Sequence, residues 1–154
     1  MAQFTTKQHI AAPLDRMFEV ATDFGNAPRY MRGIAKMELV TDGPVQVGTR
    51  FRETRIMFGK EATEEMEITA FDPPHGYALG CESCGCRYHS EFTFRAANGG
   101  TDVEMTFNAT PMTFLARTLG IVFRPMLKLC MKAVTKDLED LKESIEKGNE
   151  VAPV

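Results

Sequence analysis

Apolar and polar residues alternate with period two through most of the chain as far as Pro111, and then recur with helical spacing toward the end. Phe4, Thr6, Gln8 and Ile10 share one face of a first strand, and Pro13 suits the first turn of a helix running through Val20 and Ala21. Asp23 and Asn26 are capping residue types, and the segment to Arg32 reads as a second short helix closed by Gly33. A strand over Ile34–Thr41 follows. Beyond a loop marked by Asp42-Gly43-Pro44 and Gly48, strands over Thr49–Phe58 and Glu61–Phe71 are joined by a tight turn at Gly59-Lys60. Strands over Gly76–Cys81 and Tyr88–Arg95 pair across Cys84-Gly85, and Asn98-Gly99 turns the chain into Thr101–Ala109. The last third predicts a long amphipathic helix, about Phe114 to Lys147, kinked at Pro125. Its stripe of Leu127, Cys130, Val134, Leu138, Leu141 and Ile145 needs an apolar partner, and a curled antiparallel sheet is the one available. The pattern therefore predicts an α+β domain: a curved seven-stranded antiparallel sheet around a long C-terminal helix, with two short helices after the first strand.

Strand alternation also predicts which side chains meet that helix. Val103, Met105, Phe107 and Ala109 face one way, and Phe92 with Phe94 and Met66 with Ile68 can share the same concave side. Methionine adapts to irregular space, and 10 Met with 11 Phe suit an accommodating pocket, although they equally suit an ordinary packed core. The expected lining is Phe51, Met57, Met66, Tyr77, Phe92, Phe94, Met105 and Phe107 from the sheet, with Leu119, Phe123, Met126 and Cys130 from the helix. The third strand presents either Phe51, Glu53, Arg55 and Met57 or Arg50, Arg52, Thr54, Ile56 and Phe58 to the interior. If Phe51 and Met57 point inward, Glu53 and Arg55 accompany them and must pair or orient something polar. The other reading is a strand end whose charges lean out to water.

Composition narrows the function. At 154 residues and 44% hydrophobic, the chain suits one domain over residues 1–147 with a frayed tail over 148–154. Lys and Arg number 18 against 21 Asp and Glu, so the charge of −3 offers no general attraction to nucleic acid, and none is expected as a partner. The polar N-terminus and the lack of a membrane-length apolar run point to a cytoplasmic protein. Cys81, Cys84 and Cys86 form a C-x-x-C-x-C run that could begin a zinc or iron–sulfur site, yet a fourth ligand is missing nearby, so no metal and no cofactor are expected. His9, His75 and His89 stand beside no nucleophile motif, and Gly99-Gly100 lacks phosphate-loop spacing. Arg117, Arg124, Lys128, Lys132 and Lys136 draw a basic line beside the apolar stripe. That line fits an anionic ligand head, transient contact with an anionic membrane surface, or simple solvation.

Several short stretches carry a resemblance: Ala12-Pro13, Thr22-Asp23-Phe24, Pro28-Arg29-Tyr30-Met31, Val47-Gly48-Thr49, Gly100-Thr101 and Asp137-Leu138-Glu139-Asp140-Leu141-Lys142. With the order of elements, they resemble the helix-grip fold of the START-like (SRPBCC) superfamily, in its polyketide cyclase/dehydrase-like branch. The resemblance implies binding or transport of a small hydrophobic or aromatic ligand, lipid, polyketide or quinone-like, in an internal cavity. It also admits an aromatase/cyclase-type enzyme in which Glu53 acts as base or Arg55 and Tyr88 polarise a carbonyl. The Gly59-Lys60 turn, the Cys84-Gly85 turn, the Gly33 junction and the chain after Pro111 should fall at one end and ring the entrance. Met112, Phe114 and Ile121 would meet an incoming molecule there. Oligomeric state is left open by the sequence.

Overall fold

The computed structural model describes residues 2–57, 59–83, 85–119 and 124–147. Seven strands, β1 (Ala2–Ile10), β2 (Ile34–Leu39), β3 (Arg50–Met57), β4 (Lys60–Asp72), β5 (Gly76–Ser83), β6 (Cys86–Ala97) and β7 (Gly100–Pro111), form one curved sheet. Its order is β1-β7-β6-β5-β4-β3-β2, every pair antiparallel. Helices α1 (Leu14–Ala21) and α2 (Ala27–Tyr30), separated by a single 3₁₀ turn, follow β1, while α3 (Phe114–Leu119) and α4 (Arg124–Lys147) end the chain. This is the architecture expected from the pattern, and the strand ends lie within a few residues of the expected ones.

Each element has a local cause. In β1, Phe4, Thr6, Gln8 and Ile10 turn inward while their neighbours are exposed. Pro13 precedes α1 with φ −59°, and the helix buries Met17, Phe18, Val20 and Ala21 on one side. Thr22 closes it by donating its hydroxyl to the Phe18 carbonyl at 2.8 Å. Asp23 and Asn26 do not cap: neither makes a side-chain cap bond, and the Asn26 amide instead donates to the Asp23 carboxylate at 3.0 Å. Between β6 and β7, Asn98 and Gly99 both take positive φ, 48° and 77°, as the expected two-residue turn requires.

The core joins α1 and the C-terminal half of α4 to the sheet, with Ile10, Met17, Ile68, Phe94, Val103, Met105, Leu138 and Leu141 essentially inaccessible. Val134 and Ile145 pack against it. The C-terminal part of the expected helical stripe therefore faces the sheet; the side chains of Leu127 and Cys130 lie outside the described residues. Pro125 is the second residue of α4 as described. The kink expected there falls next to residues 120–123, which lie outside the described residues. So does the expected tail over 148–154.

Candidate functional site

The concave face of the sheet is not uniform along its length. Toward the end where β1 stops and β7 starts, Phe51, Tyr77, Phe94, Val103 and Met105 are fully buried. Aromatic rings fill this half: Phe24 stacks on Phe51 with centroids 4.8 Å apart and Phe18 meets Phe94 edge-on at 5.4 Å, while Tyr77 stacks at 4.6 Å on Phe92 at the border with the looser half. Toward the opposite end, Phe4, Met66, Leu79, Cys81, Tyr88, Phe92 and Phe107 are inward-facing and only half-buried. The expected lining thus divides. Phe51, Tyr77, Phe94 and Met105 belong to a solid core, whereas Met66, Phe92 and Phe107 belong to the looser half. Phe123 lies outside the described residues, as do the side chains of Met57, Leu119, Met126 and Cys130.

At the looser end, β3 resolves its two possible faces in favour of Phe51, Glu53 and Arg55 pointing inward, and the charges are internally paired. The Arg55 Nε donates to Glu53, while Nη1 donates to Asp137 Oδ1 at 3.2 Å and Nη2 to Asp137 Oδ2. The side chains of Arg55, Glu53 and Asp137 retain 19%, 11% and 10% of their exposure. Burial works to lower the pKa of the Arg55 guanidinium, but the Glu53 and Asp137 carboxylates more than offset it and hold the charge firmly. Asp137 is less favoured: burial raises its carboxyl to about 6, opposed by Arg55 and reinforced by Glu53 and Asp140. The asymmetry has a simple source, since Arg55 sees two carboxylates while Asp137 sees one guanidinium and two carboxylates. Gly33 makes the arrangement possible. A Cβ there would lie 2.9 Å from Arg55 Nη1 and 3.3 Å from Asp137 Oδ1, so its role is close approach to the ion pair, not helix closure.

One turn along α4, Asp140 is wholly buried and its Oδ2 accepts the Arg32 backbone N–H at 3.0 Å. Lys136 Nζ lies 3.0 Å from Oδ1 as a counter-charge, but off the line of a hydrogen bond, which Oδ1 lacks. With Ser144 also buried, the helix face toward the sheet is polar at every turn beside its leucines. Sequence reasoning missed Asp137 and Asp140 as interior groups. The available signal was spacing: Asp137 lies three residues after Val134 and four before Leu141, and Asp140 three after Asp137, which places them at the border of the stripe.

On the adjoining strands Glu64 sits directly across from Glu53, and the Cys81 thiol donates toward Glu64 Oε2 at 3.8 Å. Burial, then Glu64, pushes the Cys81 thiol up to about 11, so it stays protonated at neutral pH and is a poor nucleophile or metal ligand. Cys81 and Cys86 are free thiols, and Cys84 lies outside the described residues. Among the described residues no three His, Cys, Asp or Glu side chains converge on a common metal position. Tyr77 is also an unsuitable acid or base, because burial, Glu53 and Asp137 raise its phenol. Tyr88 stacks on Phe107 with centroids 5.8 Å apart, at the half-buried end.

The expected entrance segments do share an end. Ile34 pairs with Arg55 and Met57 with Lys60, and the Met112 N–H donates to the Gly85 carbonyl at 2.8 Å, tying the start of α3 to the β5–β6 turn. An open groove of about 890 Å³ runs between Ile56 and the Lys128–Glu139 flank of α4. None of the expected lining residues whose side chains are described borders it. A second depression, about 410 Å³, lies between Lys7–His9, Thr93, Arg95 and Asp102 on the sheet's outer face.

The family description "polyketide cyclase / dehydrase and lipid transport" matches residues 1–146. The chain belongs to this family. No curated protein matches it. Among solved structures, a protein from Thermus thermophilus is similar at 20% identity, covering 96% of this chain and 99% of its own, with a TM-score of 0.78. A START superfamily protein from Mycobacterium smegmatis is 10% identical over 93% of this chain and 98% of its own, TM-score 0.72. The di-domain ARO/CYC StfQ of the steffimycin biosynthetic pathway is 11% identical over 95% of this chain but 50% of its own, TM-score 0.75. These likenesses establish the fold of this polyketide cyclase/dehydrase and lipid transport family member, and the family match supports a hydrophobic ligand-binding fold. No helix among the described residues is long and apolar enough to cross a membrane.

Proposed function

We infer that this family member binds a small apolar or aromatic molecule between the half-buried end of the concave face and the N-terminal part of α4, and holds or carries it without transforming it. The observation that carries this reading is the burial gradient. The same sheet face that is solidly packed from Phe94 to Met105 leaves Phe4, Met66, Leu79, Tyr88, Phe92 and Phe107 half-buried and inward-facing. Large apolar side chains in that state are what an apolar guest would cover, and the adjoining Glu53–Arg55–Asp137 cluster can orient one polar group on it.

A cyclase acting on a polyketide-like chain is the alternative that the family admits. Arg55 is already committed to Glu53 on one side and Asp137 on the other, which argues against its polarising a carbonyl and favours the binding role. Turnover separates the two: a poly-β-keto substrate should give no cyclised product, and Glu53→Gln should leave its consumption unchanged.

The chain has no tryptophan, so Phe107→Trp introduces a single indole reporter at the half-buried end. Titration with anilinonaphthalene sulfonate should give saturable energy transfer from that indole, reversed by long-chain fatty acids or flat aromatic competitors. Non-saturable or absent transfer in a variant with wild-type circular dichroism contradicts the binding reading.

A further inference from the structure

Between Met105 and Lys136 the chain carries Arg117, Arg124, Lys128, Lys132 and Lys136 and not one Asp or Glu, although its overall charge is −3. Acidic residues resume at once with Asp137, Glu139 and Asp140. This acid-free stretch is also where the largest apolar side chains are exposed. On α3, Phe114 keeps 83% and Leu115 68% of its surface in contact with solvent, with Arg117 and Thr118 exposed on the next turn. Met112 just before α3 and Leu129 and Met131 on α4 are exposed as well, and Ile56 across the groove keeps 55%. Lys128, Lys132 and Lys136 edge that groove beside Leu129 and Met131. Protruding apolar tips beside cations, with Glu139 the one anion bordering the groove among the described residues, are not accounted for by solubility or by the inward-facing ligand site.

We propose that the α3 tip and the basic flank of α4 dock on an anionic phospholipid surface, with Phe114 and Leu115 entering the interface and Arg117, Lys128 and Lys132 resting on headgroup phosphates. Charge decides between occupants. Self-pairing of this face across a two-fold axis would bring Lys128 and Lys132 against their own copies, a like-charged contact. An anionic bilayer supplies both an apolar layer for Phe114 and Leu115 and negative charge for the cations, the combination that interfacial segments use. The face also adjoins the end of the molecule where Met112 is held to Gly85, so docking would present the half-buried concave face to a lipid phase.

Co-sedimentation of the intact chain with phosphatidylcholine vesicles, with and without phosphatidylglycerol, tests the proposal. Binding is expected only with phosphatidylglycerol and should be abolished by high salt. Neutralising two cations in Lys128→Gln/Lys132→Gln should weaken partitioning roughly thirtyfold, at about one kcal/mol per charge near the surface. Phe114→Ser/Leu115→Ser changes exposed positions, so it should keep the wild-type urea midpoint and lose vesicle binding. Equal binding to both vesicle types, binding indifferent to both double variants, or no binding overturns the proposal. So does a change of oligomeric mass in Phe114→Ser/Leu115→Ser without vesicle binding, which would assign the face to a second copy.

Discussion

Arg55→Met is the sharpest probe of the interior, because it removes a charge while keeping an apolar stem of similar length. In the wild type the guanidinium bonds Glu53 through Nε and Asp137 through both Nη atoms, and those two carboxylates retain only 11% and 10% exposure. Without Arg55 they face each other, desolvated, with no local cation. Removing one partner of a buried ionic group typically costs about 3–5 kcal/mol, a large part of the roughly 5–15 kcal/mol that holds a domain folded. The loss should depend on pH. Asp137 already sits raised, to about 6, with Arg55 present, and its loss moves that carboxyl further up. A group whose folded pKa exceeds its unfolded value stabilises the fold when protonated, and that contribution is lost as pH rises through the folded pKa. The deficit of Arg55→Met should therefore be largest at about pH 8 and shrink toward about pH 5, where the orphaned Asp137 takes up a proton. Urea unfolding followed by far-ultraviolet circular dichroism measures it, with Arg55→Met/Asp137→Asn closing a double-mutant cycle. A loss below about 1 kcal/mol, equal at both pH values, would show that the charges are solvated and the reasoning wrong.

Three further outcomes follow from the same geometry. In the wild type, Asp137 is raised from 3.8 to about 6, so its contribution to stability should be complete below the lower value and fade through the upper one; Asp137→Asn should flatten the urea midpoint across that window, and an unaltered slope would contradict it. Gly100→Ala should cost about 3 kcal/mol in urea unfolding, since its Cβ would lie 2.5 Å from the Ile10 carbonyl oxygen and 3.2 Å from the Ala11 Cα, both backbone atoms; a loss under about 1 kcal/mol would mean that the β1–β7 junction yields. Alkylation of Cys81 by iodoacetamide, read by peptide mass spectrometry, should climb about tenfold per pH unit up to about pH 10, because the thiol is held near 11; a plateau near pH 8 would refute the burial argument.

The fold was legible because its punctuation is local. Asn98-Gly99 needs two positive φ values and Gly100 must let β7 touch the end of β1, where the Thr101 hydroxyl donates to the Ala12 carbonyl at 2.8 Å. Thr49 accepts the Gln46 N–H at 3.0 Å after Gly48 at φ 93°. These contacts give physical content to the Gly100-Thr101 and Val47-Gly48-Thr49 stretches that carried the resemblance. The site was less legible. Period-two alternation tells which side of a strand faces in, but not how far along the strand the packing stays solid, so Phe51, Tyr77, Phe94 and Met105 were grouped with Met66, Phe92 and Phe107. Nor could one sequence decide that Arg55 of β3 would meet Asp137, 82 positions later, since long-range ion pairing leaves no periodic trace. Asp23 and Asn26 show the same limit in miniature: both were capping types, and they chose each other.

An apolar guest at the half-buried end of the concave face should travel with the protein through purification. Native mass spectrometry of the protein as purified tests it most directly. A fraction of the chain should carry a discrete added mass, released on denaturation as a small apolar or aromatic molecule and restored by adding that molecule back. Only the apo mass, with no adduct after incubation with lipid, polyketide-like and quinone-like panels, would contradict it.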